Sequence, residues 1–160
     1  MKKVIIMQGI PGSGKSTEVE RLLSMYEKDK FECALVSNDD YFIDAADGSY
    51  NFDHRKMNEA VASTIRWFLS LIKGRFDIII VDNTNTTPLE CAVFVDLARA
   101  FDYEIEFVRT VCDPAIAFKR NKHGVLEKTI RKMANRLDQF TFSKHWKYTL
   151  TVLNTNGTEI

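Results

Sequence analysis

Proline and glycine are scarce in this chain, at three and seven of 160 residues. That excludes a collagen-like repeat and the Pro/Gly-rich composition of a disordered tract. The three cysteines, Cys33, Cys91 and Cys112, lie far apart and form no C-x-x-C pair. They exclude a disulfide framework and fit reduced thiols in a cytosol-like, cytoplasmic compartment. Charge is balanced, 22 Lys and Arg against 22 Asp and Glu. The chain therefore lacks the basic surplus of a protein that coats duplex nucleic acid, and affinity for a polyanion must come from a local cluster. No apolar run approaches the ~20 residues that span a bilayer, so no membrane partner is expected. Met1-Lys2-Lys3 precedes an apolar run that stops at Gln8, which reads as a first strand rather than a signal peptide. The length suits one domain over residues 1–160 and leaves the oligomeric state open.

Within these bounds, short β-branched runs alternate with helical patterns. Val4 to Met7, Cys33 to Ser37 and Asp77 to Asp82 read as strands, the first and third buried on both faces. Tyr103 to Val108 alternates apolar and acidic residues, as a strand with one wetter face does, and Tyr148 to Leu153 reads as a last strand. Helices are expected over residues 16–28, over 54–73 with Gly74 as the stop, and from Pro88 to about Phe101. Thr87 and Glu90 form the signature of a capping box for the third of these. A further helix opens at Asp113-Pro114, breaks at His123-Gly124 and resumes from Val125 to about Leu137. Residues 38–53 read as loop. Alternation of this kind predicts an α/β fold, a parallel sheet covered on both faces in three layers.

Gly9-Ile10-Pro11-Gly12-Ser13-Gly14-Lys15-Ser16, followed by Thr17, fits G-x-x-x-x-G-K-[ST]. It sits between a strand and a helix, as a phosphate-binding loop (P-loop) must. The glycines let successive N–H groups point inward, and the helix N-terminus adds partial positive charge. Lys15 is expected on the β and γ oxygens of ATP, and the Ser16 hydroxyl on Mg²⁺. Asp82, ending an apolar strand, is the expected second metal group, with Asn83-Thr84-Asn85 beside it at the ligand crevice.

Asp39 and Asp40 follow the second strand and face the same crevice. A carboxylate there can aim and deprotonate an attacking hydroxyl, and Asp39, nearest the strand end, is the expected catalytic base. Asp40 would cap a helix or touch the acceptor. Tyr41, Phe42, Tyr50 and Phe52 either pack the loop or stack on a base or sugar. The one cationic cluster runs from Lys119 to Arg136. Residues 114–137 would form a helical lid, with Arg120 and Arg131 as candidates for the charge of the moving phosphoryl group. His123 can touch adenine or acceptor, or merely precede the turn glycine.

Residues 9–17, Asn-Asp-Asp-Tyr at 38–41, Asp-Asn-Thr-Asn at 82–85 and Arg-Asn-Lys-His-Gly-Val at 120–125 occur in an order that resembles the polynucleotide 5′-hydroxyl kinases, a branch of the P-loop kinases. The resemblance covers about residues 3–137. It implies a sheet of adenylate-kinase type in the order 2-3-1-4-5, Asp39 as base toward a 5′-hydroxyl, and Arg120, with His123 or Arg131, at the triphosphate. The acceptor is then a nucleic-acid end. A kinase of a small alcohol or nucleotide, or an ATP-binding switch, would share the same P-loop. Residues 138–160 lie outside the resemblance.

Overall fold

A computed structural model describes residues 1–157. Its strands are β1 (Lys3–Gln8), β2 (Cys33–Val36), β3 (Ile78–Val81), β4 (Glu104–Val111) and β5 (Thr149–Asn154). Its helices are α1 (Lys15–Lys28), α2 (Met57–Lys73), α3 (Pro88–Ala100), α4 (Pro114–Arg120) and α5 (Glu127–Asp138). The strands form one sheet in the order β2-β3-β1-β4-β5, and every adjacent pair is parallel. The expected strand order is therefore the observed one.

The central strands read as unbroken apolar runs because both faces are covered. Val4 and Ile6 of β1 join Phe68, Ile72, Phe94 and Phe107 in one core, against α2 and α3. Ile5 and Met7 join Val19, Leu22, Tyr26 and Val108 in the other, against α1. Each such side chain taken from water stabilises the fold by about 1.5–3 kcal/mol. All the crossovers leave the carboxyl ends of the strands on one edge, where the P-loop and the loops after β2 and β3 meet.

Several boundaries differ from expectation for physical reasons. α2 begins at Met57, because Asp53 accepts from Arg55 N and starts a separate 3-10 turn at His54–Lys56. The predicted loop after β2 holds a 3-10 helix, Asn38–Phe42, whose cap is the Ser37 side chain accepting from Asp39 N. β4 runs on through Val111, since Arg109, which interrupts the alternation, lies against aromatic rings rather than in solvent. Gly74 follows the last residue of α2 but keeps a right-handed φ of −70°, and the left-handed turn falls on Arg75 at φ 62°. The capping box at Thr87 and Glu90 forms as read.

Candidate active site

The loop between β1 and α1 is shaped by what crowds it. A Cβ on Gly12 (φ 80°) would stand 2.0 Å from the Ala117 carbonyl of α4, and one on Gly9 would stand 2.1 Å from Thr110 Oγ1. Neither position has room for any other residue. The loop's buried hydroxyl, Ser13 Oγ, lies 2.7 Å from Thr110 Oγ1, and Thr110 in turn contacts the Gln8 carbonyl at 3.3 Å. Thr155 Oγ1 donates to the Ser13 carbonyl at 2.7 Å. The loop is thus clamped by side chains from β4 and from the segment after β5.

Lys15 Nζ lies 2.6 Å from Asp82 Oδ1, with both side chains about 15% exposed. The helix-start lysine and the carboxylate at the end of β3 therefore meet in the crevice. Ser16 opens α1 beside Lys15. Among the described residues no cluster of three His, Cys, Asp or Glu side chains forms a cage. A lone carboxylate with a hydroxyl suits Mg²⁺ all the same. That ion keeps several waters, is completed by substrate phosphates, and takes hard oxygen donors such as these.

Asp39 and Asp40 sit on the 3-10 helix after β2 and have separate surroundings. Asp39 Oδ1 accepts from the Tyr50 hydroxyl at 3.0 Å. Burial, and then the Asp39 charge, push the Tyr50 phenol up to about 12, so it stays a donor at any physiological pH. The Asp40 carboxyl is raised chiefly by burial, and then by the charges of Asp39 and Asp82. Three carboxylates from two strand ends therefore share one field. Asn38 N donates to Asn83 Oδ1 at 2.8 Å, which ties the loops after β2 and β3 together, while Asn38 Oδ1 is buried without a partner.

The basic segment is placed differently from its sequence reading. Arg120 donates to the Thr155 carbonyl at 2.8 Å and the Asn156 carbonyl at 3.3 Å, holding the loop after β5. Arg131 pairs with Glu127 at 2.8 Å along α5. The break between α4 and α5 carries Gly124 at φ 68°. His123 lies 6.0 Å, ring to ring, from Tyr50, so this break faces the loop that carries Asp39.

Sequence reasoning missed a second buried network. Gln8 Nε2 donates to the Asn85 carbonyl at 3.1 Å, and Asn85 Nδ2 to the Met7 carbonyl at 2.8 Å. Arg109 donates twice to Gln8 Oε1, at 3.0 and 2.9 Å, and stacks on Phe140 and Phe142. Burial lowers its pKa. The only sequence signal was a polar residue, Gln8 or Arg109, at the end of each of two apolar runs.

A family model described as AAA domain matches residues 4–142, most of the chain and the P-loop with Asp39 and Asp82. The chain belongs to that AAA domain family. Human NEDD4-binding protein 2 is 28% identical over 141 residues, covering 86% of this chain but 8% of that protein. The Pnkp1/Rnl/Hen1 RNA repair complex contains a chain with TM-score 0.69 and 20% identity, over 86% of this chain and 44% of that one. The Mycobacterium tuberculosis APS kinase CysC, solved with AMPPNP and APS, has TM-score 0.62 and 12% identity, over 99% of this chain and 90% of that one. The fold is that of the P-loop kinases. Among the described residues, no helix is long and apolar enough to cross a membrane.

Proposed function

We propose that the chain is an ATP-dependent phosphotransferase whose acceptor is the 5′-hydroxyl of a polynucleotide. The observation that carries this reading is the hydroxyl-accepting Asp39, set in the same crevice as the Lys15–Asp82 pair. A carboxylate placed there can orient and deprotonate an attacking hydroxyl.

The reaction is written as in-line transfer. The acceptor oxygen forms a bond to the γ-phosphorus as its proton passes to the Asp39 carboxylate. The bond from the γ-phosphorus to the β–γ bridging oxygen breaks, and ADP leaves. Lys15 turns from Asp82 to the β and γ oxygens. Ser16 and Asp82 would hold Mg²⁺, which would supply charge neutralisation at the phosphates. Arg120 and Arg131 are the lid cations in this scheme. Arg120 has to share its guanidinium between the carbonyls after β5 and the nucleotide, and Arg131 has to leave Glu127. Gly9 to Thr17 supply backbone N–H groups around the phosphates. Catalysis is then positioning and electrostatics, with proton transfer contributing about 10²–10⁴-fold.

The test is transfer of labelled γ-phosphate from ATP with Mg²⁺ to a short 5′-hydroxyl oligonucleotide, with Lys15→Ala as control. Label on the oligonucleotide from the unchanged protein alone is the expected result. ATP binding without labelled oligonucleotide would sink the polynucleotide reading and leave a small hydroxyl acceptor.

A further inference from the structure

The loop between the first 3-10 helix and α2 ends in an aromatic cluster that the phosphate chemistry does not use. Phe42 is buried and stands edge-on to Tyr41, Tyr50 and Phe52, with centroids 5.4, 6.4 and 5.1 Å away. Tyr50 and Phe52 lie nearly parallel, 18° apart with centroids at 6.5 Å. Folding has not hidden them: Tyr50 is 43% and Phe52 56% exposed. A single isolated bridge between Ile43 and Tyr50, and the bond from Asn51 N to the Phe42 carbonyl, fix the segment that presents them.

Phe52 forms part of a cleft of about 550 Å³, together with Tyr41, Ile43, Asp44, Asn51 and Lys56. Its chemistry is selective. It offers an aromatic face and the amide and carboxylate groups that hydrogen-bond the edge of a planar heterocycle. Its cation is Lys56, set against the Asp44 and Asp53 carboxylates, and Asp53 is already paired with Arg55. These charges balance and give a phosphate no net attraction, whereas the aromatic face suits a neutral planar ring. Tyr50 links this cleft to the chemistry, with its hydroxyl on Asp39 and its ring beside Phe52.

We infer that this cleft binds the base of the acceptor's terminal nucleoside, stacked on Phe52, so that the 5′-hydroxyl on its sugar is carried to Asp39. The inference rests on the polynucleotide reading above and adds to it a specificity site that reads a base rather than a phosphate. Stacking of a base on an aromatic side chain contributes enough to change affinity about tenfold.

The experiment compares two oligonucleotides in the same transfer assay with the full chain and Mg²⁺-ATP. One has an ordinary 5′-terminal nucleoside and the other an abasic residue at that end, with identical phosphates. The unchanged protein should show a KM about tenfold higher for the abasic end. Phe52→Ala should raise KM about tenfold on the ordinary end and leave the abasic end unaltered, and Phe52→Trp should restore the difference. Phe52 is largely exposed, so the fold should survive both changes, as far-UV circular dichroism would report. Equal use of both ends by the unchanged protein overturns the inference and leaves the polynucleotide reading standing. So does an equal loss on both ends in Phe52→Ala. Labelling of neither end removes the acceptor reading and the inference with it.

Discussion

Thr155 Oγ1 donates a 2.7 Å hydrogen bond to the carbonyl of Ser13, joining the segment after β5 to the middle of the P-loop. Thr155 is itself buried, and its own carbonyl accepts from Arg120. The far end of the chain therefore sets the position of the loop near its start. Thr155→Val keeps the shape and removes the donor, leaving a buried carbonyl unpaired. Denaturant unfolding should show a loss of about 1–3 kcal/mol, and nucleotide affinity should fall with it. Thr155→Ser should restore both. An unchanged unfolding midpoint in Thr155→Val would mean the clamp is not what holds the loop.

Gly12→Ala should be far more damaging than an ordinary glycine change. The new methyl would meet the Ala117 carbonyl at 2.0 Å in a backbone region that L-residues avoid. Either the loop or α4 must move. Nucleotide titration should show affinity reduced by at least about tenfold, with a lower Tm. Gly48 is also left-handed but has nothing within 4 Å of a Cβ, so Gly48→Ala should leave nucleotide affinity unaltered.

Arg109→Lys is a substitution in which the retained charge should not help. The fork that donates twice to Gln8 Oε1 and lies over the rings of Phe140 and Phe142 is planar, and an ammonium is not. The expected cost in stability is about 2 kcal/mol, close to that of Arg109→Met, because the hydrogen bonds to Gln8 are lost in both. Thermal unfolding of the two variants beside the parent protein measures it. A lysine variant as stable as the parent would reduce the role of Arg109 to charge alone.

Asp40 gives a pH dependence of definite sign. Its folded-state pKa is raised by burial and by the charges of Asp39 and Asp82. The folded state therefore holds this proton to a higher pH than the unfolded chain does. Stability from this group is greatest below the ordinary carboxylate range and falls as pH rises through the raised pKa. Asp40→Asn should raise Tm at neutral pH, and the gain should vanish in acid. Equal Tm values for the two proteins across that range would show that Asp40 is not held against its charged form.

The legible parts of the molecule were those in which adjacent residues settle their own structure. Ile78 to Val81 can only be a strand covered on both faces, and the spacing of Gly9, Gly12, Gly14 and Lys15 dictates a P-loop. Thr87, Pro88 and Glu90 carry their own cap. The Lys15 and Asp82 expectations came from such signals, whereas the strand order was implied by the family resemblance. Contacts between distant residues were not legible. Thr110 and Thr155 lie just past the strands read from the sequence, and nothing marks them until the fold brings them onto Ser13. Phe140, Phe142 and Trp146 lie beyond the resemblance with no periodicity to place them, yet with Tyr148, at the start of the expected last strand, they pack against Phe107. Arg120 carried a phosphate reading because its sequence neighbours are basic, whereas its bonds to Thr155 and Asn156 come from a loop 35 residues later. Asp39 was picked by its place at a strand end, but its Tyr50 partner, across an irregular loop, had no periodicity to reveal it.

The most direct test of the account is single-turnover transfer by Asp39→Asn beside an independent titration of ATP. Asparagine keeps the size of the side chain and can still meet the Tyr50 hydroxyl, but it cannot take a proton. The account predicts transfer slowed by about 10²–10⁴-fold, with ATP affinity within about twofold of the parent. Transfer at the parent rate, or transfer and ATP affinity lost together, would contradict it.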